Sequence, residues 1–281
     1  ALEIDGEIIS ADSRQIYKGF VIGTSTPLDS PVPYHLVNFL EPERRFSAME
    51  FKRCAEMLIN DIGSRGKNVI VSGGTGLYIR ALEGKLFSGE LRDEKIREKI
   101  LARFKAGENL WEELNRVDPE LSSRIHRNDF VRIARALEVY YITGKPMSFF
   151  HKQGKYEKQS FEIRKFILTM DRNELYKRID ERVDEMIRMG WIDEVKSLLE
   201  RGINEDAPAF ESVGYKEIIA YLKGEISLEN AVRRIKKRTR QYARRQIIWF
   251  KKETDATIID LSKTSLENAK NYILKEIASS Y

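Results

Sequence analysis

Two short polar segments could carry chemistry, and each follows an apolar segment with strand character. In the first, Asp12 follows residues 7–10 and precedes Ser13, Arg14 and Gln15, whose side chains can all form hydrogen bonds. A carboxylate at this place can accept a proton from a nucleophile or hold a metal-bound water. An Asx turn or a helix N-cap would use the same side chain for structure alone, so both interpretations stand at this point.

The second segment is the glycine-rich turn 73–76, Gly-Gly-Thr-Gly, which follows the apolar residues 68–72. Glycines let backbone N–H groups approach an anionic ligand, and Thr75 adds a hydroxyl donor. The motif is weak, because glycine-rich turns between strands and helices are common. It fits neither the dinucleotide-binding fingerprint nor the phosphate-binding pattern G-x-x-x-x-G-K-[ST].

Metal and thiol chemistry have little support in the sequence. His35 and His126 are far apart, and Cys54 lies in an apolar helical stripe, so we expect neither a zinc site nor Cys/His catalysis. One cysteine allows no internal disulfide, and the first residues lack the pattern of a signal peptide. We therefore expect a cytoplasmic protein.

Basic residues are concentrated in one segment of the chain. The net charge is +5, yet residues 231–252 contain ten lysines and arginines and no acidic residue, which leaves 39 basic against 44 acidic residues elsewhere. This asymmetry predicts a polyanionic partner, because cations near phosphates release condensed counterions. An apolar stripe in the same segment includes Tyr242 and Trp249, which would pack on the core or stack on a base.

The elements that position these segments follow a strand–helix–strand order. Strand-like residues 7–10 and 68–72 flank an amphipathic helix that opens with a Ser47/Glu50 capping box. This order predicts an α/β fold with a parallel sheet and crossover helices. Residues 92–162 have charged, helical character, so we expect a helical insertion between two parts of an α/β core, residues 1–91 and 163–281.

Length and composition set broad limits. A chain of 281 residues with 42% hydrophobic and 33% charged residues is typical of a soluble globular protein with one large or two smaller domains. No apolar run approaches the about 18 residues that a membrane span needs. We therefore expect no membrane partner.

Taken together, the motifs resemble those of the tRNA dimethylallyltransferases over almost the whole chain. They are ISADSRQIYKG (9–19), IGT (22–24) with Pro27, VPYHL (32–36), GGTGLY (73–78), RIH (124–126), RALEV (135–139), TGKP (143–146), VGYKE (213–217) and TRQYARRQ (239–246). They occur in the family's order, and their joint specificity is far higher than that of any one of them.

The resemblance implies an activity and a fold. The activity is transfer of a dimethylallyl group from dimethylallyl diphosphate to N6 of the adenosine 3′ of a tRNA anticodon, assisted by Mg²⁺. Asp12 would be the general base, Thr75 would act at the diphosphate and its bridging oxygen, and residues 12–15 would hold the flipped adenine. The core would be a parallel sheet like that of P-loop NTPases, with the helical insertion gripping the anticodon stem-loop.

The same resemblance implies a set of tRNA contacts. They are Asp12, Ser13, Arg14, Gln15, Thr75, Arg97, Arg132, Arg135, Gly214, Tyr215, Lys216, Arg244, Arg245, Gln246, Trp249 and Lys251. Two family contact positions are occupied by unusual residues, Val131 and Glu211, and contacts there are in question.

The chain departs from the family at its start. The family has a phosphate-binding P-loop before the position of Glu7, and it supplies most diphosphate contacts and a metal ligand; we expect that this sequence is truncated there. The metal ligands are therefore unassigned. No Cys/His zinc finger follows residues 231–252, which favours the bacterial branch.

Two other functions remain open at this stage. An adenylate isopentenyltransferase would use the same donor with a free nucleotide as acceptor, and a non-catalytic relative would bind tRNA only. The basic segment favours tRNA over a free nucleotide, and the presence of Asp12 and Thr75 favours an enzyme. We expect a monomer.

Overall fold

The computed structural model describes residues 1–86, 93–153 and 161–279. The strands are β1 (Gly6–Ser10), β2 (Tyr34–His35), β3 (Asn68–Ser72), β4 (Phe166–Thr169) and β5 (Thr257–Asp260). The helices are α1 (Ala48–Ser64), α2 (Gly76–Leu82), α3 (Glu94–Lys105), α4 (Leu110–Val117), α5 (Pro119–Ser122), α6 (Phe130–Thr143), α7 (Met147–Gln153), α8 (Arg172–Arg188), α9 (Trp191–Glu200), α10 (Tyr215–Leu222), α11 (Leu228–Phe250) and α12 (Leu266–Ala278).

The chain divides into two compact units, Ala1–Leu82 with Phe161–Tyr281, and Glu83–Ser160. The boundary predicted at 91/92 lies outside the described residues. The second division falls at 160/161, two residues before the predicted 162/163, and Phe161 packs against the core of the first unit.

The first unit contains two parallel sheets. In one, β1 lies between β2 and β3, with Ile8 opposite both Tyr34 and Ile70. In the other, β4 pairs with β5. The parallel strands and flanking helices confirm the predicted α/β class, but the prediction of one sheet differs from the structure, since no ladder joins the two sheets within residues 1–86 and 161–279.

Helix α1 begins as its sequence predicts. Ser47 Oγ accepts a hydrogen bond from Glu50 N at 3.2 Å, and Glu50 Oε2 accepts one from Ser47 N at 2.8 Å. The helix buries Phe51 and Ile62. Phe51 stacks on Tyr78 of α2 with 4.4 Å between ring centroids, which fixes the helix that starts at the glycine-rich turn.

A larger core lies among α8, α9, α10 and α11. Its largest fully buried side chains are Trp191, Tyr215, Phe20 and Phe210. The ring centroids of Phe20 and Tyr215 are 4.8 Å apart, so the segment after β1 is part of this core.

In the described residues of the second unit, all regular secondary structure is helical. Its core contains Ile100, Leu114 and Leu137. Asp118 is buried and accepts hydrogen bonds from Leu121 N and Ser148 N, which joins the start of α5 to α7. Across both units, none of the described helices is both long and apolar enough to cross a bilayer.

Candidate functional site

The two polar turns meet because β1 and β3 are adjacent and parallel. Their last residues, Ser10 and Ser72, are opposite each other. Beyond them, Ala11 N donates to Ser72 O at 2.8 Å and Thr75 N donates to Ala11 O at 3.1 Å. The carboxyl ends of parallel strands are where α/β proteins bind ligands, so this junction is the candidate site.

The contacts of Asp12 are compatible with both roles that the sequence left open, a structural role in an Asx turn and a chemical role as a proton acceptor. Its Oδ1 accepts hydrogen bonds from Arg14 N at 2.7 Å and Gln15 N at 3.4 Å, which is an Asx-type turn. Burial raises the pKa of this carboxyl above its usual range, in spite of those two donors. Oδ2 accepts no hydrogen bond from the described residues, so it is the atom available to a proton on a ligand.

Thr75 is hydrogen-bonded to the same turn. Its Oγ1 accepts from Ser13 N at 2.9 Å and donates to Ser13 Oγ at 3.2 Å. The structure therefore brings together Asp12, Ser13 and Thr75, which are three of the predicted site residues.

The glycines of the turn have a packing role that no local pattern in the sequence indicates. A Cβ at Gly73 would overlap the backbone of Ala11, and one at Gly76 would overlap the indole of Trp249. A Cβ at Gly74 would meet the side-chain amide of Gln246. Close approach of the protein's own groups therefore explains these glycines without an anionic ligand.

Gln246 and Trp249 project from α11 onto this turn. Gln246 Nε2 donates to Gly74 O at 3.1 Å. The guanidinium of Arg80 lies 4.7 Å from the centroid of the Trp249 ring, and Trp249 Nε1 is buried without a hydrogen-bond partner among the described residues. Of the two roles considered for Trp249, packing on the core matches these contacts. Contact of Gln246 and Trp249 with tRNA stays a prediction.

Two tyrosines near Asp12 were not among the predicted site residues. Burial and, more weakly, the charge of Asp12 raise the pKa of both Tyr34 on β2 and Tyr242 on α11. Arg245 lies over the ring of Tyr242 at 5.7 Å. Tyr242 belongs to the apolar stripe of the basic segment, so the sequence indicated that it faces inward. No local pattern in the sequence indicates that Tyr34 lies near Asp12.

Arg14 and Gln15 are engaged within the protein. Arg14 Nη1 donates to Pro208 O at 3.2 Å, and its Nη2 lies 3.8 Å from Glu211. Glu211 also accepts from Arg45 Nη2 at 2.9 Å, so two arginines compensate the charge of this unusual residue. Gln15 uses its side-chain amide to bind Ser10 and the backbone of residues 24–25.

In the segment 213–217, Tyr215 lies in the core, and its contact with tRNA stays a prediction. This side chain is 0% exposed, and its hydroxyl donates to Glu194 Oε1 at 2.8 Å, so it does not present its ring to tRNA in this structure. Gly214 has φ +100° and lies against Trp191, where a Cβ would collide with the indole. Lys216 is exposed and stays a predicted tRNA contact.

The basic segment forms α11, and part of its charge is compensated. Arg240 pairs with Asp180 at 2.6 Å, Lys236 with Asp184 at 2.7 Å and Arg238 with Glu217 at 2.5 Å. These pairs are not evident from the sequence, because their carboxylates lie on other helices. Seven cations are exposed and form no ion pair with described residues: Arg233, Arg234, Lys237, Arg244, Arg245, Lys251 and Lys252.

The three predicted tRNA contacts in the helical unit differ in their ion pairing. Arg97 on α3 is exposed. Arg132 pairs with Asp129 at 2.5 Å, and Arg135 pairs with the buried Glu138 at 2.9 Å. All three stay predictions as tRNA contacts, and the two pairs already hold their guanidinium groups in place.

His35 has a structural role. Its Nε2 lies 2.8 Å from Glu7 Oε2, and Arg65 contacts both oxygens of the same carboxylate, at 2.5 and 3.0 Å. Arg65 and then His35 lower the pKa of Glu7 to about 2. Because Glu7 lies on β1, these contacts anchor the strand that carries the site.

Comparisons with known proteins agree with this geometry. A solved structure described as a full-length tRNA isopentenylpyrophosphate transferase from Bacillus halodurans superimposes with a TM-score of 0.72 at 35% identity, covering 99% of this chain and 89% of that one. A eukaryotic dimethylallyltransferase acting on tRNA gives a TM-score of 0.80 at 28% identity, covering 100% of this chain and 75% of that one. The fold and the site therefore define an α/β prenyltransferase.

Sequence relatives give the family. The profile of the IPP transferase family matches residues 15–253. A tRNA dimethylallyltransferase 2 of Geotalea uraniireducens is 44% identical over 99% of this chain and 91% of its own length. A tRNA dimethylallyltransferase of Carboxydothermus hydrogenoformans is 44% identical over 98% and 90%. The chain belongs to the IPP transferase family.

Proposed function

We propose that this enzyme transfers the dimethylallyl group of dimethylallyl diphosphate to N6 of the adenosine 3′ of a tRNA anticodon and releases diphosphate. The observation that carries this proposal is the half-buried carboxylate of Asp12 on the turn after β1, beside Ser13, whose N–H and hydroxyl are hydrogen-bonded to Thr75 Oγ1 on the turn after β3. The relatives named above supply the substrate class.

In the proposed step, the N6 nitrogen forms a bond to C1 of the dimethylallyl group while the bond from C1 to the bridging oxygen breaks. The electron pair of that bond leaves with the diphosphate. Asp12 Oδ2 takes the proton from N6, since it accepts no hydrogen bond from the described residues. Thr75 Oγ1 can turn its proton from Ser13 Oγ to the bridging oxygen, where negative charge develops.

The oxygen groups at the site fit Mg²⁺ better than a softer metal. Ser13 Oγ, Thr75 Oγ1 and the Asp12 carboxylate are hard oxygen groups, and Mg²⁺ is commonly held by one or two carboxylates together with substrate phosphates. Bound there, Mg²⁺ would neutralise charge on the diphosphate. We propose Mg²⁺ on this chemistry and leave its ligands unassigned.

We propose that tRNA binds along the exposed cations of α11 and on the helical unit, where Arg97, Arg132 and Arg135 are the predicted contacts. Seven cations of the basic segment form no ion pair with described residues, which is far more positive charge than the phosphate of a single adenine nucleotide requires. This number favours tRNA over AMP as the acceptor. Action on tRNA implies a cytoplasmic enzyme, and we infer that it works as a monomer.

Transfer of a radiolabelled dimethylallyl group, with Mg²⁺ present, tests this proposal. We expect label on an anticodon stem-loop and little on AMP. Preference for AMP would support an adenylate isopentenyltransferase instead. Tight binding of the stem-loop without any transfer would identify a non-catalytic relative. A stem-loop with guanosine in place of the target adenosine is the matched control, because it lacks the N6 amine.

A further inference from the structure

The carboxylate of Glu194 on α9 is surrounded by donors from the segment 21–23. Oε2 accepts from Val21 N at 2.9 Å and from Ile22 N at 2.7 Å. Oε1 accepts from Tyr215 Oη at 2.8 Å and, at 3.4 Å, from Gly23 N. One side chain therefore holds three consecutive backbone N–H groups, an arrangement that a carboxylate can satisfy and an amide cannot.

The same segment is pressed against the core beside Glu194. A Cβ at Gly23 would overlap the indole of Trp191, which is itself only 1% exposed and lies on α9 with Glu194. The backbone at Gly23 therefore lies directly on a buried ring. Two side chains of α9 therefore determine its position, the Trp191 indole and the Glu194 carboxylate.

The next residues of this segment hold Gln15. Its Nε2 donates to Thr24 O at 3.3 Å and to Ser25 O at 3.1 Å, while its Oε1 accepts from Ser10 Oγ at 2.9 Å. Both amide hydrogens and the amide oxygen are thus used. Gln15 connects the segment 21–25 to the end of β1.

Gln15 is also part of the turn that carries the proposed base. Its backbone N–H, with that of Arg14, donates to Asp12 Oδ1. The contacts run from Glu194 through the segment 21–25 and Gln15 to Asp12. We propose that Glu194 is a positioning residue, which sets the orientation of the Asp12 carboxylate without touching the substrate. This inference rests on the proposed function for its kinetic readout.

Glu194→Gln is the variant that tests the proposal. It keeps the size of the side chain and replaces one acceptor oxygen by an NH₂ group facing backbone N–H donors. We expect kcat to fall by about 10²-fold, the scale for a misplaced reacting group, with KM for the stem-loop unchanged. In an Asp12→Asn background the same substitution should cause no further fall, because the group it positions is already lost.

Amide hydrogen exchange gives a readout that needs no activity. Glu194→Gln should speed exchange at residues 21–23 and also at Arg14 and Gln15, the amides that bind Asp12. Glu200→Gln, an exposed position on the same helix, is the matched control and should change neither exchange nor kcat. If Glu194→Gln does not fold, Tyr215→Phe removes one donor from the same carboxylate and should cause a smaller change in the same direction.

The outcomes separate this inference from the proposed function. An unchanged kcat, an equal fall in both backgrounds, or exchange that rises at 21–23 but not at Arg14 and Gln15 would overturn the role of Glu194. A wild-type protein that transfers no dimethylallyl group would overturn the proposed function. In that case the exchange at Arg14 and Gln15 would still decide whether Glu194 positions the Asp12 turn.

Discussion

The side-chain hydroxyl of Thr75 accepts a hydrogen bond from the backbone N–H of Ser13 at 2.9 Å, although the two residues are 62 positions apart. This bond ties the turn after β3 to the turn after β1, next to the Asp12 carboxylate. The Thr75 proton is donated to Ser13 Oγ at 3.2 Å, and rotation about the C–O bond can turn it toward a ligand while the oxygen keeps its bond to Ser13 N. The arrangement places a proton acceptor and a proton donor on the turns that follow two neighbouring strands, as transfer of a group away from an anionic leaving group requires.

Asp12→Asn tests the proposed base. The amide keeps an oxygen that can accept from Arg14 N and Gln15 N, so we expect the turn and the tRNA affinity to persist. It cannot take the proton from N6, so kcat should fall by about 10²–10⁴-fold. Single-turnover transfer and stem-loop binding measure the two effects separately, and equal turnover for the two proteins would exclude the role.

The pH dependence of turnover provides a second test of Asp12. A general base works only when it is deprotonated, so kcat should fall as the pH drops through the pKa of this group. Because burial raises that pKa, the acid limb should lie above the usual range for an aspartate, about 3.9. The limb should be missing from the profile of residual activity in Asp12→Asn; a limb that persists there belongs to another group.

Acid stability should depend on Glu7. Its pKa is lowered to about 2 by Arg65 and His35, so the folded protein holds this proton more weakly than the unfolded chain does. The contribution of Glu7 to stability is therefore full above 4.5, the ordinary glutamate value, and is lost as the pH falls toward about 2. Urea unfolding across that range should show a smaller loss of stability in Glu7→Gln than in the wild type. Parallel pH profiles for the two proteins would contradict this.

Local patterns in the sequence predicted the strands and helices that carry the site. They did not predict contacts between residues that are far apart in the chain. The capping box of α1, the strands before Asp12 and Thr75, and the apolar stripe of the basic segment 231–252 all rest on neighbouring residues. The partners of α11 and the Glu194 contacts join segments far apart in the chain, so no local pattern contains them. The packing of Gln246 on Gly74 was missed for the same reason.

Substitution of Gly73 tests the packing explanation of the glycine-rich turn. A Cβ there would overlap the backbone of Ala11, which cannot move without disturbing β1, so Gly73→Ala should lower the free energy of unfolding by about 1–3 kcal/mol. Gly63→Ala is the control, because among the described residues nothing outside its own turn of α1 lies within 4 Å of its Cβ position. It should stabilise the protein by about 0.5–1 kcal/mol. Urea unfolding measures both, and a Gly73→Ala protein as stable as the wild type would refute the argument.

Removal of Arg244 and Arg245 tests α11 as the tRNA surface. Both are exposed and form no ion pair with described residues, so their loss should leave the fold intact. If each contacts a phosphate, the slope of log K against log salt should become shallower by about 1.4 to 1.8 in the double alanine variant. The control is alanine at Lys196 and Lys223, which removes the same charge from positions paired with Glu200 and Glu205. Its slope should match the wild type, since net charge alone does not set the number of phosphate contacts. Equal slopes for all three proteins would place the tRNA on another surface.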